Sequence, residues 1–125
     1  MRKLVITCLL SAFGFFSANV FAGFVHPMDF KGSDGEKNEV LNYIKERVKH
    51  DYCDSGLDMC QEATLRMMEQ QNLNAFKKAS KATDRKIMDK VIVDYCQSGL
   101  DMCSYHTISM MYDQNYNASK QETKW

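Results

Sequence analysis

The chain has 125 residues, with sixteen Lys or Arg balanced by sixteen Asp or Glu, five cysteines, nine methionines and a single proline. Balanced charge gives no basic surface with which to neutralise phosphates, so nucleic acid is not an expected partner. The length suits one domain with a modest core.

The first segment reads as an export signal. Met1-Arg2-Lys3 is followed by an uncharged stretch from Leu4 to Phe16 and a small-residue exit, Ser17-Ala18-Asn19-Val20-Phe21-Ala22. That order of basic, apolar and small residues places cleavage after Ala22. An apolar stretch of about 13 residues falls short of the roughly 20 that a membrane-spanning helix needs. Cleavage removes Arg2 and Lys3 while every acidic residue stays, so residues 23–125 carry a net charge of about −2. It also removes Cys8, leaving Cys53, Cys60, Cys96 and Cys103. No later hydrophobic run approaches spanning length, and no membrane insertion is expected after cleavage.

Residues 23–33 follow as an irregular arm without helical period, carrying Phe24, Val25, Met28 and Phe30. Such an arm either packs across the body of the protein or docks on a partner. Packing is the simpler expectation.

The rest of the chain is a tandem repeat. Asp51-Tyr52-Cys53-Asp54-Ser55-Gly56-Leu57-Asp58-Met59-Cys60 returns 43 residues later as Asp94-Tyr95-Cys96-Gln97-Ser98-Gly99-Leu100-Asp101-Met102-Cys103, with one mismatch. The offset persists downstream, where Thr64, Met67, Met68, Gln71 and Asn72 match Thr107, Met110, Met111, Gln114 and Asn115. A repeat of this period marks a supersecondary unit used twice. Residues 34–80 form the first unit, residues 81–120 the second, and residues 121–125 a polar tail.

Each unit reads as helix, tight turn, helix. Val40, Leu41, Ile44, Val48 and Tyr52 recur at helical spacing, as do Ile87, Met88, Val91, Ile92 and Tyr95. Ser33 with Glu36 fits a capping box, though Gly35 lies inside its first turn. Thr83 or Asp84 begins the second unit. Gly56 and Gly99 fall where a helix closes on a left-handed residue. Asp58 and Asp101 are expected to cap the returning helices, whose buried stripe is read as Cys60, Met67 and Met68, or Cys103, Met110 and Met111. No segment alternates with period two, so the predicted fold is all-α: two tandem hairpins packed as a four-helix domain.

The four remaining cysteines suit disulfides. Six residues between thiols on antiparallel helices bring their Cα atoms within the roughly 4.4 to 6.8 Å that a disulfide requires. The expected pairs are Cys53–Cys60 and Cys96–Cys103, although crossed pairings are open on sequence alone. Closing a loop of about 8 residues contributes about 2 to 3 kcal/mol in the chain-entropy model. A zinc site would space its ligands more closely, and a redox site would use Cys-x-x-Cys.

No other cluster announces chemistry. Asp51, Asp54 and Asp58 lack the alternating ligands and closing glutamate of a calcium loop. His26, His50 and His106 are scattered, and neither His50 nor His106 recurs in the other unit: their counterparts are Val93 and Ala63. No phosphate loop, nucleophile elbow or metalloprotease motif is present. Asn117-Ala118-Ser119 matches a glycosylation acceptor, relevant only in a eukaryotic secretory pathway. The methionines could serve Cu(I), but adaptable core packing is the simpler role.

The expectation is therefore a small exported protein, periplasmic or secreted, without catalytic residues, metal or cofactor, which binds another protein. Immunity-type, chaperone-like and secretion- or transfer-accessory factors are of this kind. The candidate contact residues are Phe24, Phe30, Met67, Met68, Met110 and Met111. The alternative is a copper- or redox-handling protein, and behind it a small enzyme.

Overall fold

A computed structural model of the protein describes residues 23–56 and 58–125. Residues 1–22, the segment expected to be an export signal, and Leu57 lie outside the described residues. The described chain forms four helices and no strand: α1 (Asp34–Cys53), α2 (Glu62–Ala79), α3 (Arg85–Ile92) and α4 (Tyr105–Ala118). A 3-10 turn, Pro27–Asp29, lies in the arm, and a π-helical turn, Val93–Gln97, extends α3.

Local chemistry sets the helix starts. Ser33 Oγ accepts from the Glu36 N–H at 3.2 Å, and the Glu36 carboxylate accepts from the Ser33 N–H at 3.3 Å. The capping box therefore forms despite Gly35. Asp84 caps α3 by accepting from the Ile87 N–H at 3.1 Å. Ser104 caps α4 by accepting from the Thr107 N–H at 3.1 Å.

Asp58 and Asp101 do not cap the returning helices; the N-caps are Gln61 and Ser104, three residues further on. Both aspartates instead hold left-handed backbone, with φ of 48° and 49°, two residues after Gly56 and Gly99 at 78° and 81°. The chain reverses through two left-handed residues. Glycine takes one at no steric cost, and aspartate is among the few other residues that accept the second.

Disulfides Cys53–Cys60 and Cys96–Cys103 close these loops, with Cα atoms 4.6 and 4.5 Å apart. The result is two disulfide-stapled hairpins, α1–α2 and α3–α4. The hairpins join through α2 and α4, whose contact is the most extensive between any two helices. The His106 N–H donates to Asn72 Oδ1 and Lys78 pairs with Asp113, so α2 and α4 run parallel.

The core comes from helical stripes: Val40, Ile44 and Val48 of α1, Phe76 and Ala79 of α2, Met88, Val91 and Ile92 of α3, and Tyr105, Ile108 and Tyr112 of α4. The expected methionine stripe is half right. Met68, Met111 and Cys103 turn inward, whereas Cys60 is exposed and Met67 and Met110 are 63% and 44% exposed. Adjacent residues on a helix point about 100° apart, so only one of each Met-Met pair can share the stripe set by the larger aromatics.

The arm packs across the bundle. The Val25 N–H donates to Tyr105 Oη and the Tyr105 O–H donates to the Val25 carbonyl, each at 3.0 Å. Phe24 stacks on Tyr105 at 5.3 Å and meets Tyr43 edge-on at 5.4 Å, and Phe30 meets Phe76 edge-on at 5.0 Å. Such aromatic pairs contribute about 0.5 to 1.5 kcal/mol each beyond burial. Arg85–Asp29 and His26–Asp89 pairs tie the arm to α3.

Candidate functional site: the disulfide loops and the exposed methionines

The second disulfide loop is held by α1. Arg47 Nη1 donates to Asp101 Oδ1 at 2.8 Å, and Nη2 donates to the Asp101 carbonyl. His50 Nε2 lies 2.9 Å from the other carboxylate oxygen. One turn earlier, the Tyr43 O–H donates to the Cys103 carbonyl. Hydrogen bonds from His50 and then Arg47 hold the Asp101 carboxyl below its ordinary range. Burial pushes the Tyr43 phenol up to about 12 and raises Tyr105 further. Both tyrosines stay protonated at neutral pH and act as hydrogen-bond donors, not as bases.

The first loop differs in sequence only at Asp54, which replaces Gln97, but has a different setting. Asp54 to Gly56 and Asp58 to Glu62 are all exposed, and Asp58 makes no hydrogen bond or ion pair among the described residues.

Methionine exposure follows the repeat. Met59 and Met102 are each 46% exposed, Met67 and Met110 turn outward, and Leu100 is 56% exposed. Met110 borders a hollow of about 390 Å³ between α2 and α4, with Gln71, Asn74 and His106 around it. Of the other candidate contact residues, Met68 and Met111 are half-buried against the core. Phe24 lies in the aromatic cluster. Phe30 packs on Phe76 and also lines an apolar groove of about 290 Å³ with Val40, Leu41 and Leu73, rimmed by Lys37 and Lys77.

Met59, Met102 and Leu100 were not among the residues expected to meet a partner. Their signal was present: all three belong to the repeated block, and local geometry does not require their apolar side chains. Cysteines, glycine, serine and left-handed aspartate build the loop, since Ser55 and Ser98 each bond back to the carbonyl four residues earlier. The outward methionines take no part in it.

Cys53, Cys60, Cys96 and Cys103 are all held in disulfides, so the described residues offer no free thiol. Among the described residues no group of three or more His, Cys, Asp or Glu is placed to hold a metal ion. No helix of the described residues is long and apolar enough to cross a membrane. Comparison with known proteins adds no relative: no family model matches the chain, and neither a curated protein nor a solved structure is similar to it.

Proposed function

We propose that this chain is an exported, non-catalytic binding protein of an oxidising compartment, the bacterial periplasm, and that its outward methionines form the contact surface for another protein. One observation carries the reading: methionines at matching positions of both units, Met59 with Met102 and Met67 with Met110, face solvent instead of the core. Flexible, polarisable thioethers form adaptable apolar surfaces that repack against a partner. The two disulfides favour an oxidising compartment, and the basic, apolar, small-residue order of residues 1–22 supports export.

The test is site-specific photo-crosslinking in an exporting bacterium, with the probe at Met67 or Met110 and a control at Lys45, exposed on α1. The expected result is one shared adduct from both methionine positions and none from Lys45. No adduct, or an equal pattern from Lys45, counts against the reading.

A further inference from the structure

Within this chain the two hairpins meet head to tail. The first hairpin receives the second through Tyr43, Arg47, Asn72 and Phe76; the second presents Asp101, Cys103, Tyr105 and the start of α4. Parallel packing of α2 and α4 makes this contact heterologous, with two different faces in register. A heterologous contact used once leaves one face of each kind open at the two ends.

Both open faces are present. Moving the receiving face by the repeat offset turns Tyr43, Arg47 and Asn72 into Lys86, Lys90 and Asn115. These three residues line a cavity of about 730 Å³ on the outer side of α3 and α4. Moving the presented face back by the same offset turns Asp101, Tyr105 and His106 into Asp58, Glu62 and Ala63, all exposed.

The shifted faces match in charge and in hydrogen bonding. The Arg47–Asp101 contact becomes Lys90 opposite Asp58. The Tyr43–Tyr105 contact becomes Lys86 opposite Glu62. Asn72 turns its Nδ2 to the Met68 carbonyl at 2.9 Å and so aims Oδ1 at the His106 N–H. Asn115 holds the same pose, with Nδ2 on the Met111 carbonyl at 2.8 Å, and its Oδ1 has no partner among the described residues. Its counterpart donor is the Ala63 N–H, in the first turn of α2. That turn lacks the side-chain cap that Ser104 gives α4, so its leading N–H groups are open to an outside acceptor.

We propose that copies of this chain associate head to tail, the α3–α4 face of one copy receiving the first disulfide loop and the start of α2 of the next. The aromatic Tyr43–Tyr105 pair inside the chain becomes a Lys–Glu pair between copies and the Arg47–Asp101 pair becomes Lys–Asp, so the contact is weak and screened by salt. The inference does not rest on the proposed methionine surface. Met102 and Met110 remain exposed although their hairpin is docked. Stacked copies would extend the methionine row instead of covering it.

Sedimentation velocity on oxidised residues 23–125, across concentration and ionic strength, tests the proposal. The expected result is a species larger than the monomer that grows with concentration at low salt and disperses in high salt. Lys90→Glu alone and Asp58→Lys alone should each leave only monomer, and an equimolar mixture of the two should restore association. Circular dichroism and intact disulfides verify that both variants fold. Monomer at every concentration in low salt would mean that the charged ends are solubilising caps, and overturns the proposal. Association that survives either substitution, or that the mixture fails to restore, overturns it equally.

Discussion

Arg47 grips Asp101 at both its carboxylate and its main-chain carbonyl, joining α1 to a loop 54 residues away. In the second unit Lys90 keeps only the counterpart of the Arg47–Asp51 pair, bonding Asp94 at 2.6 Å. One loop sequence is thus docked in one copy and free in the other. That difference makes the two aspartates unequal in their effect on stability.

Arg47→Ala should destabilise the fold by about 1 to 2 kcal/mol, the range for a charge-assisted hydrogen bond discounted for the exposed carboxylate. Asp58→Asn, which removes the charge but keeps a side chain that accepts left-handed backbone, should stay within about 0.5 kcal/mol. Urea denaturation measures both. The Asp101 carboxyl lies below its ordinary 3.8 in the fold, through hydrogen bonds from His50 and Arg47. A depressed acid contributes stability that is full above its unfolded value and lost as pH falls through the folded one. The cost of Arg47→Ala should therefore shrink as pH falls below 3.8 and through the depressed folded value, beneath which Asp101 is protonated in both states.

How much of this was legible in the sequence depended on whether a feature is local. The Ser33–Glu36 box, the loop glycines and both disulfides rest on spacing within a few residues, and sequence reasoning found them; the α3 cap it narrowed to Thr83 or Asp84, of which Asp84 forms it. Asp58 and Asp101 were misread because a cap and a left-handed turn residue favour the same amino acid. The core partners were harder. Tyr105 is fully buried while its counterpart is Glu62, and Tyr43 corresponds to Lys86. The repeat suggests two equal hairpins, but a head-to-tail contact makes their faces unequal. The outward turn of Met67 and Met110 follows from which of two adjacent methionines shares the stripe set by the aromatics, a choice that spacing alone leaves open.

Tyr105→Phe removes one hydroxyl and both hydrogen bonds to Val25. The ring remains, so no large cavity opens, but the Val25 N–H and carbonyl lose their partner inside the core. An unsatisfied buried group costs about 1 to 3 kcal/mol. The variant should lose stability in that range, and hydrogen exchange at the Val25 amide should accelerate more than at Ile44. Equal acceleration at both would show global loosening instead of local release of the arm.

Tyr43 predicts behaviour in alkali. Burial raises its phenol to about 12, against 10 when unfolded. A raised group contributes stability that is full below the unfolded value and is lost as pH rises towards the folded one. Stability should therefore fall between about pH 10 and pH 12, and Tyr43→Phe should flatten part of that slope. Tyrosinate absorbance during the titration should show the Tyr43 fraction ionising late, or together with unfolding.

The two disulfides should differ in their rate of reduction. Both close loops of equal length and similar geometry, so chain entropy does not separate them. Access does: Cys60 is exposed, whereas Cys103 is 6% exposed beneath a carbonyl held by Tyr43 and a loop held by Arg47. Thiol–disulfide exchange needs a line of attack on sulfur. If opening the second loop costs about 1.4 kcal/mol, its reduction slows by about tenfold. Limiting reductant followed by alkylation and peptide mass spectrometry should therefore find Cys53–Cys60 opened first. Arg47→Ala should narrow the gap by releasing the docked loop while leaving the first loop's rate unchanged. Equal rates in the unmodified protein would mean that docking on α1 does not protect the second disulfide.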